Sequence, residues 1–129
     1  MNGVSNFQPK KGDIITLDFE PSVGREIKKR RPALVVSNSK YSKLTGLLAI
    51  VPITSKPNTK MIEYGIYQEV KHNKVRGYIN PLQFHTFDYK KRNAKYIGKI
   101  DTDTLKKVLK LINNIINAKE LWGKALWSV

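Results

Sequence analysis

The sequence predicts an α+β domain in which a small, curled antiparallel sheet precedes one long C-terminal helix. Several short segments rich in β-branched residues are separated by Gly, Pro and polar clusters, which is typical of strands joined by turns. Near the C-terminus, apolar residues recur at three- and four-residue spacing, which indicates an amphipathic helix. The 129 residues suffice for one hydrophobic core, so we expect a single domain over residues 1–129.

Six segments are predicted as strands, and the first three are the clearest. Residues 13–19 alternate, with Ile15, Leu17 and Phe19 on one face. Residues 33–37 and 47–53 are continuous apolar runs, which suit buried central strands. The weaker strand segments are residues 63–70, 77–82 and 96–100.

The remaining segments are predicted as an arm, loops, one helix and a tail. We expect residues 1–11 to form a loose polar arm, 20–31 a long charged loop and 38–46 a polar connection. Asp101 offers a capping oxygen for a helix that carries apolar residues from Leu105 to Ile116. Residues 119–129 form an apolar tail that would dock on the domain, on a second subunit or on nothing; its large residues are Leu121, Trp122 and Trp127.

Charge is the strongest feature of the composition. Twenty-four Lys and Arg residues against ten Asp and Glu residues give a formal net charge of +14, which attracts polyanions such as nucleic acid. A solubilising surface and a membrane-surface binder are the other interpretations. Zero cysteines and two histidines argue against a thiolate or histidine-rich metal site, so we expect no metal and no cofactor. No apolar run approaches a membrane span and no signal peptide precedes the domain, so cytoplasm is the expected location.

The most specific pattern lies between residues 12 and 55. A charged segment carrying Gly-x-Glu-x4-Arg-Pro separates two apolar strands, and the second strand ends in Pro-Ile-Thr-Ser. In full it reads Gly12-Asp13-Ile14, Asp18-Phe19-x-Pro21-x-x-Gly24-x-Glu26, Arg31-Pro32-Ala33 and Pro52-Ile53-Thr54-Ser55. This order and spacing resemble the MazF/PemK toxins, and weaker similarity continues through Gln83 and the terminal helix to about residue 118.

The resemblance implies an SH3-like barrel that acts as a homodimer and is a toxin of a type II toxin–antitoxin system. It implies sequence-specific cleavage of single-stranded mRNA, leaving a 2′,3′-cyclic phosphate and a 5′-hydroxyl. It also implies an acidic antitoxin that blocks the site and binds DNA together with the toxin. The family's key arginine, threonine and loop glutamate match Arg31, Thr54 and Glu26.

The chemistry of these residue types is compatible with that assignment. Cleaving RNA through its own 2′-OH needs no metal, but it needs proton transfers and stabilisation of a crowded, charged phosphorane. We expect Arg31 to stabilise the transition state, Thr54 to position the phosphate and Glu26 to assist proton transfer or to orient Arg31. The expected RNA-binding residues are Lys28, Lys29, Arg30, Ser55 and Gln83.

Alternatives remain open at the level of the sequence. His85 is a candidate acid–base group, yet a lone histidine beside aromatics is more often a packed bystander, and His72 is a weaker candidate. The chain departs from the family pattern at four positions: Arg25, Ile27, Asn80 and Leu82. Rival functions are an RNA-binding protein of the same fold with weak or no cleavage, and a toxin that inhibits a protein such as gyrase. The RNA motif, the antitoxin and the general acid and base are not determined by the sequence.

Overall fold

The computed structural model describes residues 7–19 and 30–119. Within these ranges the strands come first and the longest helix comes last. In chain order the elements are β1 (Asp13–Asp18), β2 (Arg30–Val35), α1 (Ser39–Thr45), β3 (Leu47–Thr54), α2 (Thr59–Glu63), β4 (Gln68–Glu69), β5 (Tyr78–Ile79), β6 (His85–Asp88), β7 (Lys95–Lys99) and α3 (Thr102–Asn117). The predicted α+β class with a long C-terminal helix is confirmed.

The strands form one antiparallel sheet that curls into a half-barrel around β3. The strand order is β4-β5-β3-β2-β1-β7, and β6 also pairs with β3. One edge of β3 pairs with β6 as far as Ile50 and then with β5 from Ile53 onward. Strands that change partners in this way make the corners of curled sheets. The SH3-like barrel that the family resemblance implied is therefore confirmed in this half-barrel form.

Both faces of the central strands are buried, because successive side chains point to opposite faces. One face packs beneath α3, and its buried residues are Ile14, Leu34, Val51, Ile53, Val70, Val75, Ile79, Ile100 and Val108. The other face forms a second cluster, whose buried residues are Ile15, Leu17, Ala33, Val35, Leu48, Ile50 and Tyr89. This double burial explains the continuous apolar runs of β2 and β3 and confirms their prediction as central strands.

Helix α3 begins at the predicted cap. The Asp101 carboxylate accepts hydrogen bonds from the Thr104 backbone N–H at 3.0 Å and from its hydroxyl at 2.9 Å. Partial desolvation acts to raise the pKa of Asp101, but these hydrogen bonds outweigh it, so the pKa lies below its ordinary value. Val108 and Leu111 are buried against the sheet, whereas Ile116 near the end of the helix is 63% exposed.

Four local predictions need correction. The connection at 38–46 contains α1, whose signal was a capping Asn38 rather than an apolar stripe, since only Ser42 of this helix is buried. The strand predicted at 63–70 is wrong, because α2 ends at residue 63 and only the two residues of β4 pair there. Strand β6 was not predicted. Arg30 and Arg31 belong to β2 rather than to a loop, and residues 20–29 lie outside the described ranges.

The described part of the N-terminal arm contacts the sheet. The Phe7 ring lies 5.9 Å from the ring of Tyr96, and Pro9 is fully buried. The buried carboxylate of Asp13 accepts from the Lys10 backbone N–H at 2.8 Å and pairs with the Lys99 ammonium at 2.9 Å. Of the apolar tail predicted at 119–129, only residue 119 is described, and residues 120–129 lie outside the described ranges. Among the described residues, none of the helices has the length and apolar character needed to cross a membrane.

Candidate functional site

The candidate site begins with Arg31 on β2 and Thr54 at the end of β3. These strands are antiparallel, and the last residues that pair are Ala33 and Pro52. Arg31 comes two residues before Ala33 in β2 and Thr54 two residues after Pro52 in β3, and both residues line the same two clefts. Because the pairing stops at Ala33, Arg31 and Thr54 border an open cleft. The two predicted residues, distant in sequence, are thus neighbours.

Strand alternation gives Arg30 a different environment from that of Arg31. The Arg30 guanidinium donates to the Asp18 carboxylate at 3.0 Å, to the Thr16 carbonyl and hydroxyl at 2.9 Å each, and to the Asn93 carbonyl at 2.6 Å. The Asn93 amide donates to the same carboxylate, and this bond together with Arg30 lowers the pKa of Asp18. Arg30 therefore ties β1 to β2 and to the turn before β7, and its charge is compensated by Asp18.

The Thr54 hydroxyl is held with its proton available. Its oxygen accepts a hydrogen bond from the Lys56 backbone N–H at 3.1 Å, so the O–H can donate elsewhere. The Thr54 carbonyl lies against Gly77, where a Cβ would stand only 2.6 Å from the carbonyl oxygen. Thr54 is thus fixed by the turn that follows β3 and by the close approach of the chain at Gly77.

Two clefts meet at Arg31 and Thr54. The first, called here the cationic cleft, has a volume of about 350 Å³, and its polar lining consists of Arg30, Arg31, Thr54, Ser55, Lys56 and Arg76. The second, called here the aromatic cleft, has a volume of about 540 Å³ and shares Arg31, Thr54 and Lys56 with the first. Its other ring and amide residues are Phe19, Tyr67, Asn80, Gln83, His85 and Phe87. A phosphate at the junction would have cations on one side and rings and amides on the other.

Gln83 is oriented by Asn80. Asn80 is 8% exposed; its side-chain amide donates to the side-chain oxygen Oε1 of Gln83 at 3.1 Å and accepts from the Leu82 backbone N–H at 3.0 Å. The Asn80 backbone N–H donates to the Pro52 carbonyl at 2.9 Å, which connects this loop to β3. The Gln83 amide nitrogen remains available to the cleft. Asn80, one of the departures from the family pattern, therefore acts as a support for Gln83.

His85 lies within an aromatic cluster in the aromatic cleft. Its ring is parallel to that of Phe87, with centroids 5.5 Å apart, and Phe19 meets both rings edge-on at 6.3 and 5.5 Å. The Arg92 guanidinium covers Phe87 at 4.6 Å. His85 is thus both packed and next to the candidate site. His72 lines neither cleft. Its Nδ1 accepts a hydrogen bond from the Lys74 backbone N–H, and its ring lies against Gly98.

The structure does not describe every predicted site residue. Glu26, Lys28 and Lys29 lie outside the described ranges, as do Arg25 and Ile27. Lys56 and Arg76 in the cationic cleft, and the ring cluster in the aromatic cleft, were not predicted from the sequence. Their only signal was position, since Lys56 follows the Thr-Ser pair and Arg76 precedes a glycine. Within residues 7–19 and 30–119, no group of three or more His, Cys, Asp or Glu side chains is arranged to hold a metal ion.

Comparisons with known proteins show similarity to a family of toxins. Residues 10–116 match the family described as PemK-like, MazF-like toxin of type II toxin–antitoxin system. The endoribonuclease toxin MazF of Escherichia coli K12 is 42% identical over 53 residues, which are 41% of this chain and 48% of that protein, about half its length. The endoribonuclease PemK of E. coli is 24% identical over 108 residues, covering 83% of this chain and 81% of the relative.

Solved structures share most of the fold. A crystal structure of MazE–MazF from Deinococcus radiodurans superposes with a TM-score of 0.75 at 26% identity, covering 88% of this chain and 100% of that chain. A crystal structure of MazF from the same organism gives a TM-score of 0.72 at 27% identity, with coverages of 86% and 98%. The similarity therefore extends over most of this chain.

Proposed function

This chain belongs to the family of PemK-like, MazF-like toxins of type II toxin–antitoxin systems, and on that premise we propose that it is an endoribonuclease that cleaves single-stranded RNA. The observation that supports the proposal is that Arg31 and Thr54 both line a cationic and an aromatic cleft, at the junction of the two. Phosphate groups are recognised by forked cations and hydroxyls, and unstacked bases by rings and amides. The junction offers both.

The proposed reaction uses the 2′-OH of the RNA as nucleophile. The 2′-oxygen bonds to phosphorus, the bond from phosphorus to the 5′-oxygen breaks, and the products are a 2′,3′-cyclic phosphate and a 5′-hydroxyl. One proton leaves the 2′-OH and one is delivered to the departing oxygen, so no metal is required. Arg31 stabilises the negative charge that develops on the phosphorane, and the Thr54 hydroxyl donates to a non-bridging oxygen. Glu26 serves as the general base or orients Arg31.

The remaining predicted residues bind RNA in this proposal. Ser55 lies in the cationic cleft and Gln83 in the aromatic cleft, where its free amide suits the edge of a base. Lys28 and Lys29 contact the RNA backbone just before β2. The Arg30 guanidinium is already bound by the Asp18 carboxylate. Arg30 therefore contributes to RNA binding through its backbone groups and by holding β2 in place.

An acidic antitoxin and a homodimer complete the proposal. A net charge of +14 favours an acidic segment that folds on binding and competes with RNA. The related MazE–MazF crystal structures support such a partner, with which the toxin would bind DNA. We place this activity in the cytoplasm, where mRNA is the substrate.

The test is cleavage of a long RNA with single-stranded and paired regions in excess EDTA, with every new end mapped. We expect discrete cuts at a short shared motif in single-stranded regions and cyclic phosphate at the 3′ ends. Arg31→Ala should reduce kcat by about 10²–10³-fold, as for the loss of one preorganised donor to a developing oxyanion. Arg31→Lys should restore little, because an ammonium does not reproduce the fork.

The controls separate the rival functions. RNA that is bound but uncut under all conditions would replace the proposal with a binding function. Intact RNA together with inhibition of a protein such as gyrase would replace it with a protein-targeting toxin. Cleavage that requires added metal would contradict the mechanism. A Glu26→Gln variant that kept full activity at all pH values would exclude Glu26 as the base.

A further inference from the structure

The cationic cleft contains more positive charge than the reacting phosphate requires. Among the described residues, no carboxylate lies within 4.0 Å of the charged groups of Arg31, Lys56 or Arg76; the two ion pairs found there join Arg30 to Asp18 and Lys99 to Asp13. Like charges held near each other repel, so a cluster of this kind is unfavourable unless an anion occupies it. Arg31 has a role in the proposed reaction, whereas Lys56 and Arg76 have none so far.

Lys56 and Arg76 are both positioned by backbone contacts with Thr54. The Lys56 backbone N–H donates to the Thr54 hydroxyl oxygen, which fixes the start of its side chain beside the site. Arg76 precedes Gly77, which lies against the Thr54 carbonyl because it lacks a Cβ. The segment is anchored again where the Val70 N–H donates to the Gly77 carbonyl at 3.0 Å. The two side chains therefore line one cleft, and each comes from a segment held against Thr54.

We propose that Lys56 and Arg76 form a second phosphate subsite, which binds the RNA phosphate next to the scissile one. This inference rests on the proposed function and extends it by assigning the path of the bound RNA strand. The backbone runs from the Arg31–Thr54 junction into the cationic cleft, and the bases on the other side enter the aromatic cleft. The junction favours RNA over an acidic peptide because phosphates and bases are needed to fill both clefts, whereas carboxylates suit only one.

A subsite of this kind contributes binding and not chemistry. Contacts that are equal in the ground state and the transition state change KM and leave kcat nearly constant. Each phosphate neutralised on a single strand also adds about 0.7 to the slope of log affinity against log salt. Arg76→Ala or Lys56→Ala should therefore raise KM by about three- to tenfold, lower the salt slope by about 0.7 and change kcat by less than about twofold.

The experiment combines protein variants with modified substrates, as in a double-mutant cycle, on a short RNA that contains one cleavage site. Substrates carry a single neutral methylphosphonate at successive positions flanking the scissile phosphate, and each is assayed with wild type, Arg76→Ala and Lys56→Ala. At one position the methylphosphonate should raise the wild-type KM and abolish the effect of both variants. Lys43→Ala is the charge-matched control, since Lys43 lies in α1, before the start of β3 at Leu47, and Leu47 is roughly 23 Å from Thr54 along an extended strand.

The outcomes distinguish this subsite from the proposed function as a whole. Variants that behave like Lys43→Ala, or whose defects persist at every methylphosphonate position, would overturn the subsite while cleavage and its loss in Arg31→Ala stand. If wild type binds RNA without cutting it, the same cycle is read from dissociation constants and still decides the subsite. An Arg76→Ala defect in binding a poly-glutamate peptide, with RNA kinetics unchanged, would assign the cleft to an acidic protein instead. Wild type that neither binds nor cuts RNA would overturn both.

Discussion

Gly77→Ala tests whether close packing at one glycine holds the candidate site in shape. Gly77 has φ = +144°, a conformation that side chains rarely adopt. A Cβ at this position would lie 2.6 Å from the Thr54 carbonyl oxygen and 3.1 Å from the Ile53 side chain. The oxygen belongs to the backbone of β3 and cannot rotate away, so either β3 or the turn before β5 must move. Alanine is the smallest change that imposes this.

The expected magnitude follows from these two effects. An unfavourable positive φ costs about 1–3 kcal/mol, and forcing atoms into a packed position costs about as much again. We therefore expect Gly77→Ala to lower the free energy of unfolding by about 2–6 kcal/mol. A Cβ needs at least about 0.4 Å more room here, and a shift of 1 Å in a reacting group costs about 10²-fold in rate. Displacing Thr54 by this amount should lower kcat for RNA cleavage by roughly tenfold.

The assay combines urea unfolding with cleavage kinetics measured where the variant is still folded. Gly46→Ala is the matched control, because Gly46 has φ = +76° but nothing lies within 4 Å of the added Cβ. We expect this control to lose about 1–2 kcal/mol through backbone strain alone and to keep its kcat. If both variants lost the same stability and both kept full activity, close packing at Gly77 would have no part in positioning Thr54.

Two further perturbations test an ion pair and the core. The Asn93 hydrogen bond and Arg30 lower the pKa of Asp18 below its ordinary 3.8, so ionised Asp18 stabilises the fold above that pH. Urea unfolding should show this contribution disappearing as the pH falls below 3.8 in wild type but not in Asp18→Asn; parallel profiles would refute it. Leu34 is fully buried, so Leu34→Ala should cost about 2–5 kcal/mol in urea unfolding, against less than about 0.5 for Leu44→Ala, whose side chain is 86% exposed. Equal losses would contradict the assigned core.

The pattern of a few segments was sufficient to predict the fold class. β1 alternates because one face of it is more apolar, and β2 and β3 are continuous apolar runs because clusters cover both of their faces. Helix α3 combines a capping Asp101 with a long apolar stripe. In each case the local pattern and the final environment agree, which is why these elements were predictable.

Short elements were not predictable for the opposite reason. The helix α1 has seven residues and buries little, so it lacks an apolar stripe, and a helix of that length forms only in the context of the fold. Strands β4, β5 and β6 have two to four residues, and their pairing with neighbouring strands defines them more than their own composition does. The apolar and aromatic residues between 63 and 70 therefore suggested a longer strand than exists.

The candidate site, like the fold, was predictable from the sequence only in part. The sequence alone determined the residue types that a phosphate requires, an arginine before a proline and a threonine at the end of an apolar strand, together with their resemblance to a toxin family. Only the tertiary structure decided that Arg31 lines the same two clefts as Thr54 while the Arg30 guanidinium is bound by Asp18, because a one-residue step along a strand reverses the direction of a side chain. Only the tertiary structure brought Arg76 to the same cleft, since its place depends on the close contact between a glycine and the backbone of β3, which no local pattern encodes.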